Sequence, residues 1–337
     1  MPFINEILKY SNLSIVGLEK NTGKTECLNY ILRNIHCKGK KIAVTSVGID
    51  GETIDQVTRT QKPEITLFSN MFFVTSEKHY REKHVTSKII DILDISTPIG
   101  RLVVAETLDQ GKVQLSGPSD TTNLKSVIRY LKNLDTDLCM VDGALSRLSL
   151  AAPTVTDAMI LSTGAALSAN IPQLVRYTMY VVDRINLQQV NNQLHNTLSS
   201  ISSGLWAVPD MNKSDIVPPL NIDSVLALSK SKEDIFRYGS NIYIPGMISD
   251  KVLLMLKSQK NIADITLIIK DFTKIFAQPE TYYAFMAKGG KIMVVDKPNL
   301  IAITVNPWSP SGYLLNSNEL ISQLQAKTDI PVYNIKA

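Results

Sequence analysis

A phosphate-binding turn is the first chemistry that the sequence indicates. An apolar run ends at Gly17, and after five intervening residues Gly23-Lys24-Thr25 opens an amphipathic segment. A helix that begins there presents unpaired N–H groups and the positive end of its dipole to an anion. Lys24 would then bind the β- and γ-phosphates of a nucleoside triphosphate, and the Thr25 hydroxyl would hold Mg²⁺.

The spacing of this turn departs from the usual pattern. Four residues normally separate the first glycine from Gly-Lys-[Ser/Thr], so the position of the first glycine falls here on Leu18. The alternative is an ordinary strand–turn–helix connection whose lysine faces solvent. The nucleotide-binding residues that the motif predicts are Gly17, Lys20, Asn21, Thr22, Gly23, Lys24, Thr25 and Glu26.

A second acidic position fits the same chemistry. Residues 138–141 form an apolar run, preceded by Asp137, that ends in Asp142-Gly143. An acid at the end of a buried strand is the second element that organises Mg²⁺ in phosphate-loop enzymes. We therefore expect Asp142 to ligate the metal beside Thr25, or to accept a metal-bound water. Asp142 could instead simply cap a turn, as many strand-end acids do.

Phosphoryl transfer also needs a group that orients water or an acceptor. Asp50 and Glu52 follow the second predicted strand, whose end should lie beside the phosphate loop in a parallel sheet. Together with Lys24 they form the predicted catalytic set. A glycine-flanked turn in which Asp50 caps a helix explains the same residues equally well.

The elements around these residues alternate between strand and helix. This order predicts an α/β fold, namely a P-loop NTPase-like, mainly parallel sheet flanked by helices, followed by a second, smaller α/β domain. We place the domains at residues 1–185 and 186–337, because a polar stretch and three prolines follow residue 186. The first domain is predicted to have strands at 13–17, 41–47, 137–142, 156–161 and 179–182, and helices at 23–35, 85–93 and 120–134.

Other segments carry predictions that the structure can test. A hairpin turn is predicted at 109–111, between strands at 101–106 and 112–116. Strands at 300–305 and 331–335 are assigned to the second domain. A rigid Pro-Trp-Ser-Pro-Ser-Gly loop at 307–312 follows the former strand, where α/β sheets bind ligands, although packing of Trp308 against a neighbouring domain would explain it as well.

Composition excludes several classes of function. The 337 residues are 44% hydrophobic and 20% charged, and the net charge of +4 forms no long basic stripe, which argues against a nucleic-acid partner. Three cysteines without metal or disulfide spacing fit a reducing cytoplasm. Residues 151–171 are too polar to cross a membrane, and no signal peptide is evident. We therefore expect a cytoplasmic protein that binds no membrane.

Motifs of other chemistries are missing from the sequence. The four histidines show no metal spacing, and neither a Gly-x-Ser-x-Gly elbow nor a Gly-x-Gly-x-x-Gly fingerprint occurs. An Asn-Lys-x-Asp sequence, the type found in guanine-specific sites, occurs at residues 212–215, beyond the first predicted domain. We expect ATP rather than GTP as the nucleotide, with Mg²⁺ as the metal.

Four segments resemble one protein family. They are Gly-Leu-Glu-Lys-Asn-Thr-Gly-Lys-Thr (residues 17–25) and Thr-Ser-Val-Gly-Ile-Asp-Gly-Glu (45–52), then Val-Asp-Gly-Ala-Leu-Ser-Arg (141–147) and Ser-Thr-Gly-Ala (162–165). Their combination is similar to the P-loop component of the lysine 5,6-aminomutase reactivases. The length and two-part layout are also similar, but the specific motifs lie in the first 185 residues.

The resemblance implies a nucleotide-driven chaperone. It would hydrolyse ATP to reactivate an adenosylcobalamin-dependent aminomutase of lysine fermentation, acting with a second, mismatch-repair-like ATPase subunit to release damaged cobalamin. The region of Asp142 is also similar to dethiobiotin synthetases and cobyrinate amidases, which implies the alternative of a small-molecule kinase or ATP-dependent ligase. A third hypothesis is a binding module whose loop has lost hydrolysis.

Overall fold

The computed structural model describes residues 3–48, 64–144, 155–213 and 235–336. The chain divides into two compact units, which are described separately. The first unit comprises Met1–Met179 together with Pro298–Ala337, and the second comprises Tyr180–Lys297. The second unit is therefore inserted into the chain of the first.

The strands of the described residues fall into a large sheet, a smaller sheet and a two-stranded ribbon. Their bounds are β1 Asn12–Gly17, β2 Ile42–Ser46, β3 Ile65–Leu67, β4 Phe72–Ser76, β5 Ser87–Thr97, β6 Gly100–Thr107, β7 Gly111–Val113, β8 Leu138–Ala144, β9 Ala158–Gly164, β10 Gln188–Gln189, β11 Trp206–Ala207, β12 Asn241–Ile244, β13 Thr266–Ile269, β14 Lys291–Val294, β15 Asn299–Asn306 and β16 Val332–Asn334.

Helices connect many of these strands. Within the described residues they are α1 Phe3–Ile7, α2 Lys24–Ile35, α3 Glu77–Arg81, α4 Thr121–Asn133, α5 Ile171–Ile185, α6 Asn192–Ser199, α7 Asp250–Lys257, α8 Pro279–Ala287 and α9 Ser317–Gln325. Among them, no helix combines the length and the apolar character needed to cross a membrane.

The first unit contains a nine-stranded sheet in the order β16-β15-β9-β1-β8-β2-β4-β6-β5. Pairing is parallel from β16 through to β4, and antiparallel where β6 pairs with β4 and with β5. The predicted α/β class with a mostly parallel sheet flanked by helices is confirmed. Since β8 and β2 lie on one side of β1 while β9 and β15 lie on the other, the order reverses at β1, where such sheets bind ligands.

Helices cover both faces of this sheet. The helical spacing read from the sequence places Leu28 and Ile31 of α2 in the apolar core on one face, and Leu124 and Val127 of α4 in the core on the other. Asp120 caps α4, which lies within the helix predicted at 120–134, because its side chain accepts a hydrogen bond from the backbone N–H of Asn123. Successive side chains along the strands point alternately into the core under α2 and the core under α4.

The predicted helix at 85–93 is wrong, since residues 87–93 belong to strand β5. Register shifts interrupt its pairing with β6 between Ile89 and Asp91 and between Leu93 and Ser96. The first irregularity inserts one extra residue and the second inserts two, and both interrupt the alternation of period two that identifies a strand. The isoleucines and leucine of β5 consequently recur at a spacing that imitates a helix.

The predicted hairpin at 109–111 is wrong as well. Strand β7 pairs with β3 in a separate ribbon, and β6 forms its hairpin with β5 instead. Asp109 accepts hydrogen bonds from Thr86 N at 3.0 Å and Thr86 Oγ1 at 2.8 Å. Its side chain thus fastens the start of β5 rather than shaping a hairpin.

The predicted strand at 179–182 lies inside helix α5. Val181 and Val182 are buried together with their neighbours Met179 and Tyr180. A short helical segment that is buried on every side has apolar residues at consecutive positions. Its sequence therefore lacks the helical spacing of apolar residues and resembles that of an interior strand. Helix α5 therefore runs without a break from Ile171 to Ile185.

The second unit holds a five-stranded sheet in the order β10-β14-β13-β12-β11, parallel except for β11. Strands β15 and β16, which the sequence pattern assigned to the second domain, pair instead in the large sheet of the first unit. Their β-rich sequences are recognisable, but only the pairing of β15 with β9 reveals the sheet they join.

Candidate functional site

The turn after β1 leads into α2 through two residues of positive φ. Leu18 N still donates to Ser162 O of β9 at 2.9 Å, so the turn begins only after Leu18. Asn21 and Gly23 both have positive φ values, of 60° and 93°. Helix α2 starts at the next residue, and no described side chain caps its N-terminus. The N–H groups of its first turn are thereby left for an anion.

Gly17 leaves the space through which the side chain of Lys24 passes, despite the extra residue in the turn. A Cβ at position 17 would lie 2.6 Å from Thr22 Oγ1 and 2.7 Å from Lys24 Cγ. The stem of Lys24 therefore crosses directly over the end of β1. Leu18 adds one residue of pairing to β1, and the turn proper keeps four residues between Leu18 and Gly23.

Lys24 and Asp142 meet at this end of the sheet. Their Nζ and Oδ1 atoms are 3.8 Å apart, and the side chains are only 19% and 16% exposed. Asp142 lies on β8 opposite Ile15 of β1 and shares the sheet face of Met140, which α2 covers. Partial burial strengthens this attraction relative to an ion pair in water.

The remaining residues of the predicted phosphate loop hold its shape. Thr22 is almost fully buried and donates its hydroxyl to Glu19 O at 2.8 Å, while Lys20 N donates to Glu19 Oε1 at 3.0 Å. The Glu26 carboxylate pairs with Lys336 Nζ at 3.1 Å. The structure thus brings Gly17, Lys24 and Asp142 together, while the side chains of Thr22 and Glu26 bond to the protein.

Asn306 is the neighbour of the loop that sequence reasoning missed. It ends β15, and its Nδ2 donates to Asn21 O at 3.3 Å. Its Oδ1 accepts from Trp308 N at 3.2 Å. A Cβ at Gly23 would lie 2.9 Å from Asn306 Cβ. A polar residue directly after the apolar run 300–305 could have indicated a site residue at a strand end. The sequence pattern had assigned this strand to the other domain, so Asn306 was not considered.

Cys27, in the first turn of α2, is a poor candidate nucleophile. It is fully buried, and burial raises the pKa of its thiol to about 12. Since the thiolate is the reactive form, this cysteine is inert at neutral pH. The predicted catalytic residues Asp50 and Glu52 lie outside the described residues.

The oxygen donors at this site suit Mg²⁺. Thr25 stands in the first turn of α2, and Asp142 supplies a carboxylate at the end of the adjacent β8. The described residues hold no group of three or more His, Cys, Asp or Glu side chains arranged for a metal. Mg²⁺ does not need one, because it is commonly held by one or two carboxylates, by substrate phosphates and by water.

Comparisons of the chain with protein-family models, with curated proteins and with solved structures gave no match.

Proposed function

We propose that the first unit binds the Mg²⁺ complex of a nucleoside triphosphate, preferentially ATP, at the carboxyl end of β1 and hydrolyses it. One observation carries this proposal. The Lys24 side chain folds over Gly17 and ends 3.8 Å from Asp142, at an uncapped helix N-terminus. A phosphate chain needs this combination of a cation, free N–H donors and a carboxylate beside them for Mg²⁺.

Each residue then has a distinct role. The N–H groups of Lys24 and Thr25 donate to phosphate oxygens, while Lys24 Nζ neutralises charge on the β- and γ-phosphates. The Thr25 hydroxyl and the Asp142 carboxylate would hold Mg²⁺, which supplies further charge neutralisation when bound. Asp50 and Glu52 stay the proposed residues for orienting water.

Lys24 is the residue on which to test nucleotide binding. We expect Lys24→Ala to weaken MgATP binding by roughly ten-fold or more in titration calorimetry, because a hydrogen bond to a charged group contributes about 1.5–3 kcal/mol. Lys40→Ala is the matched control, since Lys40 pairs with Asp137 at the opposite end of the strands. Equal affinity of Lys24→Ala and wild type would refute the proposal.

We further propose that hydrolysis serves to remodel an adenosylcobalamin-dependent aminomutase, together with a second ATPase subunit. This proposal rests on the sequence resemblance of segments 17–25, 45–52, 141–147 and 162–165. Phosphate release should rise when the inactivated mutase and the companion ATPase are added. A phosphorylated small molecule, detected by mass spectrometry after incubation with a metabolite mixture, would instead favour the kinase or ligase alternative.

A further inference from the structure

The position of Lys24 and Asp142 sets the direction in which a bound nucleotide must run. Both side chains mark the γ-phosphate end on the β8 side of β1. The sheet order reverses at β1, with β8 on one side and β9 on the other, and such a reversal is where parallel sheets bind ligands. A nucleotide bound as proposed, with its γ-phosphate on the β8 side, would place its nucleoside end toward the ends of β9 and β15.

A small hairpin stands at the end of β15. Trp308 and Leu314 face each other as an isolated antiparallel bridge, flanked by the hydrogen bonds Leu315 N to Pro307 O and Ser309 N to Tyr313 O. Residues opposite each other in such a pair project from the same face. Trp308 and Leu314 are 57% and 59% exposed, although both are large and apolar.

The hairpin is attached to the phosphate loop. Asn306 accepts from Trp308 N with one side-chain atom and donates to Asn21 O of the loop with the other. The hydroxyl of Tyr313 donates to Ala165 O, just beyond the end of β9. The side chain of Asn306 thereby links the backbone of Trp308 to the phosphate loop, and Trp308 follows β15, on the β9 side of β1.

We propose that Trp308 is the nucleobase subsite, where its indole ring stacks on the purine of the bound nucleotide with Leu314 beside it. The inference rests on the proposed function, because it needs the triphosphate to lie on the loop. Stacking on an aromatic ring suits any base, since every base has a π-face. Trp308 thus contributes affinity for the base, while Lys24 contributes affinity for the phosphates.

The test distinguishes the affinity contributed by the base from the affinity contributed by the phosphates. Titration calorimetry is carried out with MgATP and with magnesium tripolyphosphate, which has no base, on wild type, Trp308→Ala and Trp308→Phe. We expect Trp308→Ala to bind MgATP at least about five-fold more weakly, because a stacked base contributes about 1–3 kcal/mol. Tripolyphosphate affinity should be unchanged, and Trp308→Phe should recover most of the loss.

Tryptophan fluorescence gives a second readout. The chain has two tryptophans, and the other, Trp206, lies in the second unit and donates Nε1 to Ser203 O. Trp206→Phe leaves Trp308 as the single emitter, and MgATP but not tripolyphosphate should quench it. Unchanged MgATP affinity in Trp308→Ala, or an equal loss for both ligands, would overturn the subsite. A wild-type protein that binds neither ligand would overturn the proposed function as well.

Discussion

At the scale of single residues, the site depends on the space left by Gly17. A Cβ there would lie 2.6 Å from Thr22 Oγ1, and 2.7 Å and 2.8 Å from Lys24 Cγ and Cδ. The hydroxyl of Thr22 closes the loop and has little freedom, because the residue is buried. The lysine stem is the part that must move. A methyl group at position 17 therefore acts on the direction of Lys24 more than on the fold.

Gly17→Ala should lower nucleotide affinity while the protein stays folded. We expect MgATP to bind at least about five-fold more weakly, because overpacking a tight contact typically costs about 1–3 kcal/mol. Gly143→Ala is the matched control on the adjacent strand, since the nearest atom to its Cβ would be Ile15 O at 3.8 Å. Titration calorimetry measures both. Equal effects of the two variants would show that the Lys24 contact has no special role.

The buried carboxyl of Asp271, in the second unit, leads to a prediction about how the free energy of unfolding depends on pH. It is 2% exposed, and burial raises the pKa of its carboxyl above the ordinary 3.8, despite hydrogen bonds from Thr273 and the charge of Lys274. The unfolded chain loses this proton at lower pH than the folded one. Asp271 therefore favours the folded state most below the unfolded-state pKa, and this contribution is lost as the pH rises through the folded-state value.

The Asp271→Asn variant should consequently gain free energy of unfolding relative to wild type as the pH rises from about 4 to about 7. Asp250→Asn should do the opposite below about pH 4, because hydrogen bonds from Thr281 and Gln278 lower the pKa of Asp250, so that its contribution to stability is present above the unfolded-state pKa and is lost as the pH falls. Denaturant unfolding at several pH values measures both. Parallel pH profiles for the two variants would contradict the prediction.

At the scale of elements, β15 holds the phosphate loop by its last residue. Asn306 bonds to Asn21 O and to Trp308 N, and it is only 8% exposed. Asn306→Ala should destabilise the first unit by about 1–3 kcal/mol, from two lost hydrogen bonds. MgATP binding should weaken as well, because the backbone at Asn21 loses its support.

Asn299→Ala is the control at the other end of the same strand. Asn299 is exposed and donates its side chain to Asp157 O at 2.9 Å, far along β15 from the loop. We expect this variant to bind MgATP as wild type does. Thermal unfolding measures the stability of both variants, and titration calorimetry measures their affinity for MgATP. Unchanged nucleotide affinity in Asn306→Ala would show that β15 does not support the loop.

The same elements show what the sequence could predict. The starts of α2 and α4 were predictable because each is marked by neighbouring residues in the sequence. Gly-Lys-Thr marks the turn into α2, and Asp120 stands directly before the helical spacing of α4. Strand β5 was not, because two bulges hide its alternation. Asn306 was missed for a different reason. Its role depends on β15 pairing with β9, across a long stretch of intervening chain.

At the scale of the whole molecule, the second unit interrupts the first. The chain leaves the first unit after Met179 and returns at Pro298, and the returning segment supplies β15 and β16. The outer edge of β9 is covered by β15, which also brings Asn306 to the loop. The predicted nucleotide site is consequently complete only when both parts of the first unit are present.

A chain that ends at Met179 should therefore fail to bind MgATP, and it should aggregate through the bare edge of β9. A second variant replaces residues 180–297 with a flexible Gly/Ser linker of about 20 residues, whose mean span is about 25 Å. We expect this variant to fold and to bind MgATP as the full chain does, because it keeps β15 and β16 beside β9. Light scattering and titration calorimetry compare the two variants. Normal binding by the shorter chain would show that the returning segment is dispensable, and failure of the linker variant would show that the first unit needs the second in order to fold.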